Sequence, residues 1–238
     1  MFSSVISYYS VAVYITETAM KTDIDKVMET LDGYYETNML ISSMDEARDP
    51  YKLLISCILS LRTKDETTYP AAKRLFELAS TPSDMLKLDP SRIEKTIYPV
   101  GFYRNKTATI LNISRILINE YSGKVPSDMD ELLKLKGVGR KTANLVLAKG
   151  YDIPAICVDT HVHRISNRLG YVETKNPLET EMALRKKLPK KWWKTINTAF
   201  VRHGQEICKP TAARCFECPV EKYCMKINVK TAKQKTKK

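Results

Sequence analysis

The chain has 238 residues, which at roughly 150 residues per domain allows one large domain or two small ones. Its 39 lysines and arginines against 27 aspartates and glutamates give a formal net charge of +12. Such a charge is typical of a protein that binds nucleic acid, or of a soluble protein whose surface is simply basic. With only 8 glycines and 11 prolines, the composition excludes a collagen-like or low-complexity chain. No apolar run approaches the roughly 18 residues of a membrane span, so we expect no membrane contact.

The two ends of the chain differ from the rest. Residues 1–19 contain no lysine or arginine and so lack the basic start of a secretory signal, and we expect them to be a disordered extension outside the fold. Residues 226–238 contain six lysines and no acidic residue, which predicts a disordered basic tail. Without an export signal or a membrane segment, we expect a cytoplasmic, nucleoid-associated protein.

Between these ends, apolar residues recur at spacings of three and four, with almost no strand-like alternation. This pattern predicts an all-α protein of about ten short helices. A helix after Met20 carries Ile24 and Leu31, and Ser127-x-x-Asp130 predicts the cap of a later one. The other predicted helices are Tyr51–Leu59, Ala71–Leu78, Ile93–Ile97, Lys106–Ile118, Met129–Leu135, Lys141–Lys149, His161–Leu169, Pro177–Leu188 and Trp192–Gly204.

A Gly-x-Gly turn, Gly137 and Gly139, joins two of these helices. The two glycines allow a tight turn with positive φ. Such a turn leaves backbone N–H groups pointing outward near the positive end of a helix dipole, where they bind phosphate. The alternative is a simple helix corner with a glycine C-cap. Basic side chains on both sides favour phosphate binding: Lys136, Arg140 and Lys141.

A carboxylate, Asp159, follows the helix that begins near Lys141. The nine residues before Asp159 can span up to ~30 Å, whereas the helix over 141–149 is about 13 Å long. The chain can therefore bring Asp159 back beside Lys141. Asp159 can also cap the following helix, and both roles can hold together because amide donors keep a carboxylate ionised.

Four of the six cysteines lie close together near the C-terminus, separated by six, two and five residues: Cys208, Cys215, Cys218 and Cys224. Four thiolates in a compact loop suit a tetrahedral metal ion or an iron–sulfur cluster. The spacing lacks the paired CxxC motifs of a zinc ribbon and favours the cluster. The other two, Cys57 and Cys157, stand in apolar runs and are interpreted as core thiols.

The run Lys-Gly-Val-Gly-Arg-Lys-Thr-Ala-Asn (136–144), followed by Val-Asp-Thr-His-Val-x-Arg (158–164), resembles the endonuclease III branch of the helix-hairpin-helix (HhH-GPD) DNA glycosylases. The cysteine spacing matches the 4Fe–4S loop of that family, and the resemblance covers about residues 20–224. It implies a two-lobed all-α fold with a C-terminal 4Fe–4S loop. One lobe is a helical barrel domain with the hairpin, over residues 43–153. The other is an iron–sulfur domain of residues 20–42 and 154–225.

The resemblance implies a bifunctional DNA glycosylase/AP lyase of base excision repair that removes oxidised pyrimidines from duplex DNA. A lysine at position 141 marks the bifunctional enzymes, because an amine can attack C1′, expel the base and form a Schiff base that permits β-elimination. Asp159 is its essential partner. Two alternatives stay open: a mismatch glycosylase acting on thymine or uracil opposite guanine, and a catalytically silent helix-hairpin-helix protein that only binds DNA.

The resemblance also implies which residues contact DNA. We expect the protein to act as a monomer. Phe102 stands at the intercalating position of the family, with ordinary core packing as the alternative. Arg62 stands where bacterial members commonly carry glutamine, so the preference for the opposite base is expected to differ. Beside the cluster, Lys209 and Arg214 are expected to meet DNA phosphates.

Overall fold

The computed structural model describes residues 22–36 and 49–232, and the expected N-terminal extension lies outside these ranges. The described part is helical, with no strand and one isolated bridge between Ala213 and Thr231, so the all-α prediction is confirmed. None of its helices has the length and apolarity needed to cross a bilayer. The α-helices of the described part are α1 Ile24–Tyr35, α2 Pro50–Ser60, α3 Asp65–Leu78, α4 Pro82–Lys87, α5 Pro90–Ile97, α6 Tyr103–Tyr121, α7 Met129–Lys134, α8 Arg140–Leu145, α9 Thr160–Arg168, α10 Pro177–Lys187 and α11 Ile196–Glu206.

Four short helical turns complete these elements. A π-helical turn, Val146–Gly150, continues α8, and three 3-10 turns follow later in the chain. These are Lys190–Trp192, Cys215–Glu217 and Glu221–Tyr223.

Helix starts depend on which side chain can reach the first free amides. Ahead of α7 this is Asp128 rather than Ser127: the Asp128 carboxylate accepts hydrogen bonds from the amides of Asp130 (2.9 Å) and Glu131 (3.1 Å). The helix predicted from Trp192 begins only at Ile196. Trp192 itself lies in a 3-10 turn, where its indole donates to Asp25 of α1 (2.6 Å).

Among the described residues, buried apolar side chains form two separate clusters. The first contains residues from 51 to 155 and gathers α2 to α8 around fully buried positions such as Leu54 and Ile110. The second combines α1 with residues from 156 to 220 and includes the fully buried Phe200. The chain passes from one cluster to the other between Ala155 and Ile156, just before Asp159.

Residues 226–232 do not form part of a disordered tail. The amide of Ile227 donates to the Arg168 carbonyl (3.1 Å). The Lys230 carbonyl accepts a hydrogen bond from the amide of Ala213 (2.9 Å). The prediction that disorder begins at Lys226 is therefore wrong for 226–232, and residues 233–238 lie outside the described ranges. The lysine-rich composition does not reveal this pairing, because its partners are backbone groups of other segments.

Candidate functional site

A cleft of about 1060 Å³ opens between elements of the two clusters. One wall carries Ser60 at the end of α2 and Thr63 in the turn that follows, together with the start of α8. The opposite wall comes from α9, α10 and α11. The polar and charged residues that face it include Arg140, Lys141, Asp159, His161, Glu181 and Arg202.

The turn before α8 contains one position that strongly favours glycine. Gly137 has φ +93°, and a Cβ there would lie 2.9 Å from the Thr109 methyl carbon, so a side chain is disfavoured by both conformation and space. Gly139 has φ −101° and ψ 174°, an extended conformation, so the predicted positive φ holds for Gly137 alone. Val138 is buried, and its amide donates to the Leu135 carbonyl (2.9 Å). Lys136 and both glycines are exposed.

Lys141 is the second residue of α8, and its exposed side chain lines the cleft. Within the described ranges no carboxylate forms an ion pair with its amine. The chain that follows α8 folds back against this helix: the Cys157 thiol donates to the Lys141 carbonyl (3.6 Å). Asp159, two residues further on, lines the same cleft. The structure therefore brings Lys141 and Asp159 to one site.

Asp159 is the N-cap of α9. Its Oδ1 accepts hydrogen bonds from the amides of His161 (2.8 Å) and Val162 (2.9 Å), which fix the carboxylate at the start of the helix. Burial lowers the pKa of His161; the charge of Asp159 acts against that shift, and the charge of Lys141 adds to it. The charges of Asp159 and Lys141 therefore both act on the imidazole of His161. Asp159 caps α9 and lines the cleft at the same time.

Cys57 and Cys157 are buried near the same helix. Burial raises the pKa of each thiol to about 12, and the positive charge of Lys141 opposes the shift in both cases. Neither residue forms a disulfide. Both behave as protonated core thiols, in agreement with the sequence prediction.

The guanidinium of Arg140 is bound to protein and is not simply presented to solvent. Its Nε and Nη2 donate to the Glu181 carboxylate at 2.9 and 2.7 Å, and the Nε of Arg185 donates to the same carboxylate at 2.9 Å. The Glu181 side chain is 3% exposed. Burial raises its pKa, but the hydrogen bonds and positive charges of the arginines outweigh burial and hold the pKa below its ordinary value. Arg140 thus bridges α8 to α10, and its contact with a DNA phosphate stays a prediction.

Phe102 and Arg62 stand side by side on two adjacent loops. The Phe102 side chain is 60% exposed, which rules out the alternative that it belongs to the core. The guanidinium carbon of Arg62 lies 5.8 Å from the centre of the Phe102 ring. Both residues adopt left-handed backbone conformations, with φ 53° at Arg62 and 57° at Phe102. An aromatic ring and a guanidinium are thereby presented together beside the cleft.

The four clustered cysteines line one small cavity, together with the buried side chains of Ile165 and Arg168. None is in a disulfide: Cys208, Cys215, Cys218 and Cys224. N–H groups approach two of the sulfurs at 3.3 Å, from Arg168 Nη1 to Cys208 and from the Lys226 amide to Cys224. Within the described ranges, no three cysteine, histidine or acidic side chains converge closely enough to hold a single metal ion.

The two basic residues expected to contact DNA from this loop differ. Lys209 is exposed, and its carbonyl accepts a hydrogen bond from Arg168 (2.7 Å). Arg214 instead binds the protein through its guanidinium, which donates to the Glu206 carbonyl (2.8 Å) and pairs with Glu217 (2.8 Å). Arg214 therefore ties the loop to the end of α11, and Lys209 is the freer of the two for an external anion.

Sequence reasoning missed two charged residues that organise this region: Glu181 and Lys106. Lys106 is 6% exposed, and its Nζ donates to the Leu59 carbonyl at 2.7 Å, although the two residues are 47 positions apart in the chain. No sequence signal separates Lys106 from the other basic residues or Glu181 from the other acids. Their partners lie more than 40 positions away in the chain.

The chain is similar to known DNA repair proteins. The profile of the HhH-GPD superfamily base excision DNA repair proteins matches residues 55–190. Endonuclease III of Thermotoga maritima is 52% identical over 176 residues, which cover 74% of this chain and 83% of that protein. Endonuclease III of Bacillus subtilis is 40% identical over 177 residues, 74% of this chain and 81% of that protein.

Solved structures match the fold over most of the chain. A trapped endonuclease III–DNA covalent intermediate, in an estranged-adenine complex, has a TM-score of 0.71 and 36% identity and covers 85% of this chain and 95% of that one. A thermostable thymine-DNA glycosylase, with a TM-score of 0.69 and 24% identity, shares the fold. The profile match and these identities show that the chain belongs to the endonuclease III branch of the HhH-GPD superfamily.

Proposed function

We propose that this chain is a bifunctional DNA glycosylase and AP lyase of base excision repair, with Lys141 as nucleophile and Asp159 as its partner. The observation that carries the proposal is the pairing of these two residues in one cleft. The Lys141 amine has no ion-pair partner among the described residues, and two backbone amides hold the Asp159 carboxylate in place. Duplex DNA is the partner, as in the solved endonuclease III–DNA complexes.

The chemistry follows from the two side chains. An ammonium has no lone pair, so Lys141 first transfers a proton, and the Asp159 carboxylate is the acceptor in the cleft. The amine then attacks C1′, the bond from C1′ to the base breaks, and the base leaves with the bonding electrons and takes up a proton. The sugar ring opens as the imine forms. Loss of a C2′ proton expels the 3′ phosphate by β-elimination, and water releases the lysine.

Duplex opening is assigned to the paired loops. A glycosylase reaches its target only after the nucleotide leaves the stack, and an exposed apolar or aromatic side chain fills the space. Phe102 has the exposure that this role requires. Arg62, next to its ring, is assigned to the orphaned base, where it offers more donors than the glutamine common in bacterial members. The remaining proposed DNA contacts are Lys136, Gly137, Gly139, Arg140, Lys209 and Arg214.

Family membership implies a metal-containing cofactor, and we assign a 4Fe–4S cluster to Cys208, Cys215, Cys218 and Cys224. The residues fit it, because four unpaired thiols line one cavity and N–H groups approach two of the sulfurs. The cysteine spacing lacks the paired CxxC motifs of a zinc ribbon, which supports a cluster over a single zinc ion. The bound cluster would hold the loop that presents Lys209.

The buried clusters support a two-lobed organisation with DNA between the lobes. We assign residues 43–153 to the barrel lobe and residues 20–42 with 154–225 to the iron–sulfur lobe. The change of core between Ala155 and Ile156 supports the second boundary. Because its substrate is genomic DNA, we place the protein with the nucleoid in the cytoplasm and expect it to act as a monomer.

Borohydride trapping tests this function. Wild type, Lys141→Ala and the matched control Lys149→Ala, a lysine that lines the same cleft, would be compared on duplexes with thymine glycol, uracil opposite guanine or an abasic site. A crosslink to thymine glycol that requires Lys141 and not Lys149 supports the proposal. Trapping only on uracil opposite guanine would indicate a mismatch glycosylase. Intact DNA binding without any crosslink would indicate a silent DNA-binding protein.

A further inference from the structure

Lys106 is a buried lysine outside the catalytic cleft, and all three of its ammonium N–H groups donate to the end of α2 and the turn that follows it. Lys106 lies in the first turn of α6 and is 6% exposed. Its Nζ donates to the carbonyls of Leu59 (2.7 Å) and Leu61 (2.5 Å) and to the hydroxyl of Thr63 (3.0 Å). An ammonium has three N–H groups, so each finds one acceptor.

These acceptors surround Arg62, whereas Lys106 belongs to the helix that Phe102 caps. The Lys106 amide donates to the Phe102 carbonyl (3.0 Å), so backbone and side chain of one residue hold both loops. Thr63 adds a second link, because its hydroxyl also accepts a hydrogen bond from the amide of Gly101 (3.1 Å). The Arg62 turn and the Phe102 loop are thereby joined through Lys106 and Thr63.

The joined loops are closely packed and conformationally unusual. A Cβ at Gly101 would lie 3.1 Å from the Arg62 carbonyl oxygen and 3.3 Å from the Thr63 hydroxyl. Left-handed backbone at non-glycine residues costs about 1–3 kcal/mol and persists only where the surroundings hold it. Arg62 and Phe102 both adopt it, with the guanidinium against the ring. Lys106 and Thr63 both form hydrogen bonds with each of the two loops.

We propose that Lys106 is a positioning residue for duplex opening: it holds Arg62 and Phe102 as one rigid pair, so that the ring enters the stack and the guanidinium meets the orphaned base in a single event. The proposal rests on the proposed function of these two residues. It assigns Lys106 no contact with DNA. Loss of the ammonium therefore slows extrusion of a paired nucleotide and leaves the Lys141 chemistry unchanged.

The test compares substrates that differ in the need for opening. Lys106→Met keeps the length of the side chain and removes the three donors, and Lys73→Met, at an exposed lysine of α3, is the matched control. Single-turnover excision would be measured on thymine glycol opposite adenine and on thymine glycol opposite a tetrahydrofuran residue, an abasic analogue that offers no orphaned base and cannot form a Schiff base. We expect Lys106→Met to slow the first about tenfold and the second less than about twofold, with Lys73→Met unchanged on both.

A second variant and an opening signal keep the test decisive if Lys106→Met folds poorly. Thr63→Val keeps the volume of the side chain and removes the hydroxyl, so it should show the same substrate-selective loss to a smaller degree. The fluorescence of 2-aminopurine opposite the lesion should rise more slowly in both variants. Equal losses on both substrates, or no loss on either, would overturn the proposal. If wild type itself forms no borohydride crosslink, the proposed function fails, and the positioning role with it.

Discussion

The carboxylate of Glu181 is expected to stabilise the cleft through its two arginine partners. It accepts three N–H bonds, two from Arg140 and one from Arg185, while its own side chain is 3% exposed. Glu181→Gln keeps the shape, removes the charge and turns one acceptor oxygen into a donor that faces guanidinium donors. The two arginines then lie beside a neutral amide in a largely desolvated position.

The size of the effect follows from burial. Breaking a fully buried ion pair by removing one partner costs about 3–5 kcal/mol. The side chains of Arg140 and Arg185 are 33% and 29% exposed and keep part of their hydration. We therefore expect Glu181→Gln to lower the free energy of unfolding by about 2–3 kcal/mol, a fall in Tm of about 4–12 °C for a chain of this size.

The pH dependence of this loss has a definite sign. The folded pKa of Glu181 lies below the value of 4.5 that an unperturbed glutamate has. Its contribution to stability is therefore complete above about pH 4.5 and is lost as the pH falls through the folded pKa. The difference in stability between wild type and Glu181→Gln should be full at pH 7 and shrink on acidification below that range.

Urea denaturation followed by circular dichroism would measure the difference at pH 7 and at several acidic pH values. Glu173→Gln, an exposed glutamate just before α10, is the matched control and should behave as wild type. Because Arg140 precedes Lys141, single-turnover excision by Glu181→Gln should also slow. A loss below about 0.5 kcal/mol at pH 7, the scale of ordinary surface substitutions, or a loss that does not change on acidification, would refute the reasoning.

Three further predictions follow from the same geometry. Lys141→Ala should abolish borohydride trapping and nicking of abasic DNA while duplex affinity, measured by fluorescence anisotropy, stays within about twofold; nicking at the parental rate would contradict the assignment. Gly137→Ala should cost about 1–3 kcal/mol in urea denaturation and weaken duplex binding, because the new methyl group meets Thr109 at 2.9 Å in a left-handed conformation. Cys218→Ser should lower bound iron and sulfide from about four each per chain, and an unchanged content would show that this thiol is not a ligand.

Local patterns predicted most of the helical fold. Apolar spacing located the helices because each must bury one face; the helix predicted over Tyr51–Leu59 is α2, for example. Local sequence patterns gave wrong predictions where a contact between residues far apart in the chain determines the structure. The helix predicted from Trp192 starts later, since its indole binds Asp25 on α1. The backbone pairing of residues 226–232 likewise depends on segments far away in the chain.

The amino-acid sequence by itself determined the helical class, the glycine turn before Lys141, the capping aspartate Asp159 and the cysteine spacing, because each depends on residues close together in the chain. Tertiary structure alone decided that Arg140 binds Glu181, that Arg214 holds its own loop, and that Lys106 joins the Arg62 and Phe102 loops. In the first and last of these, the partners lie more than 40 residues apart. Such charged side chains come together only when two elements pack against each other. Burying them unpaired would cost free energy, so the packing that pairs them is favoured.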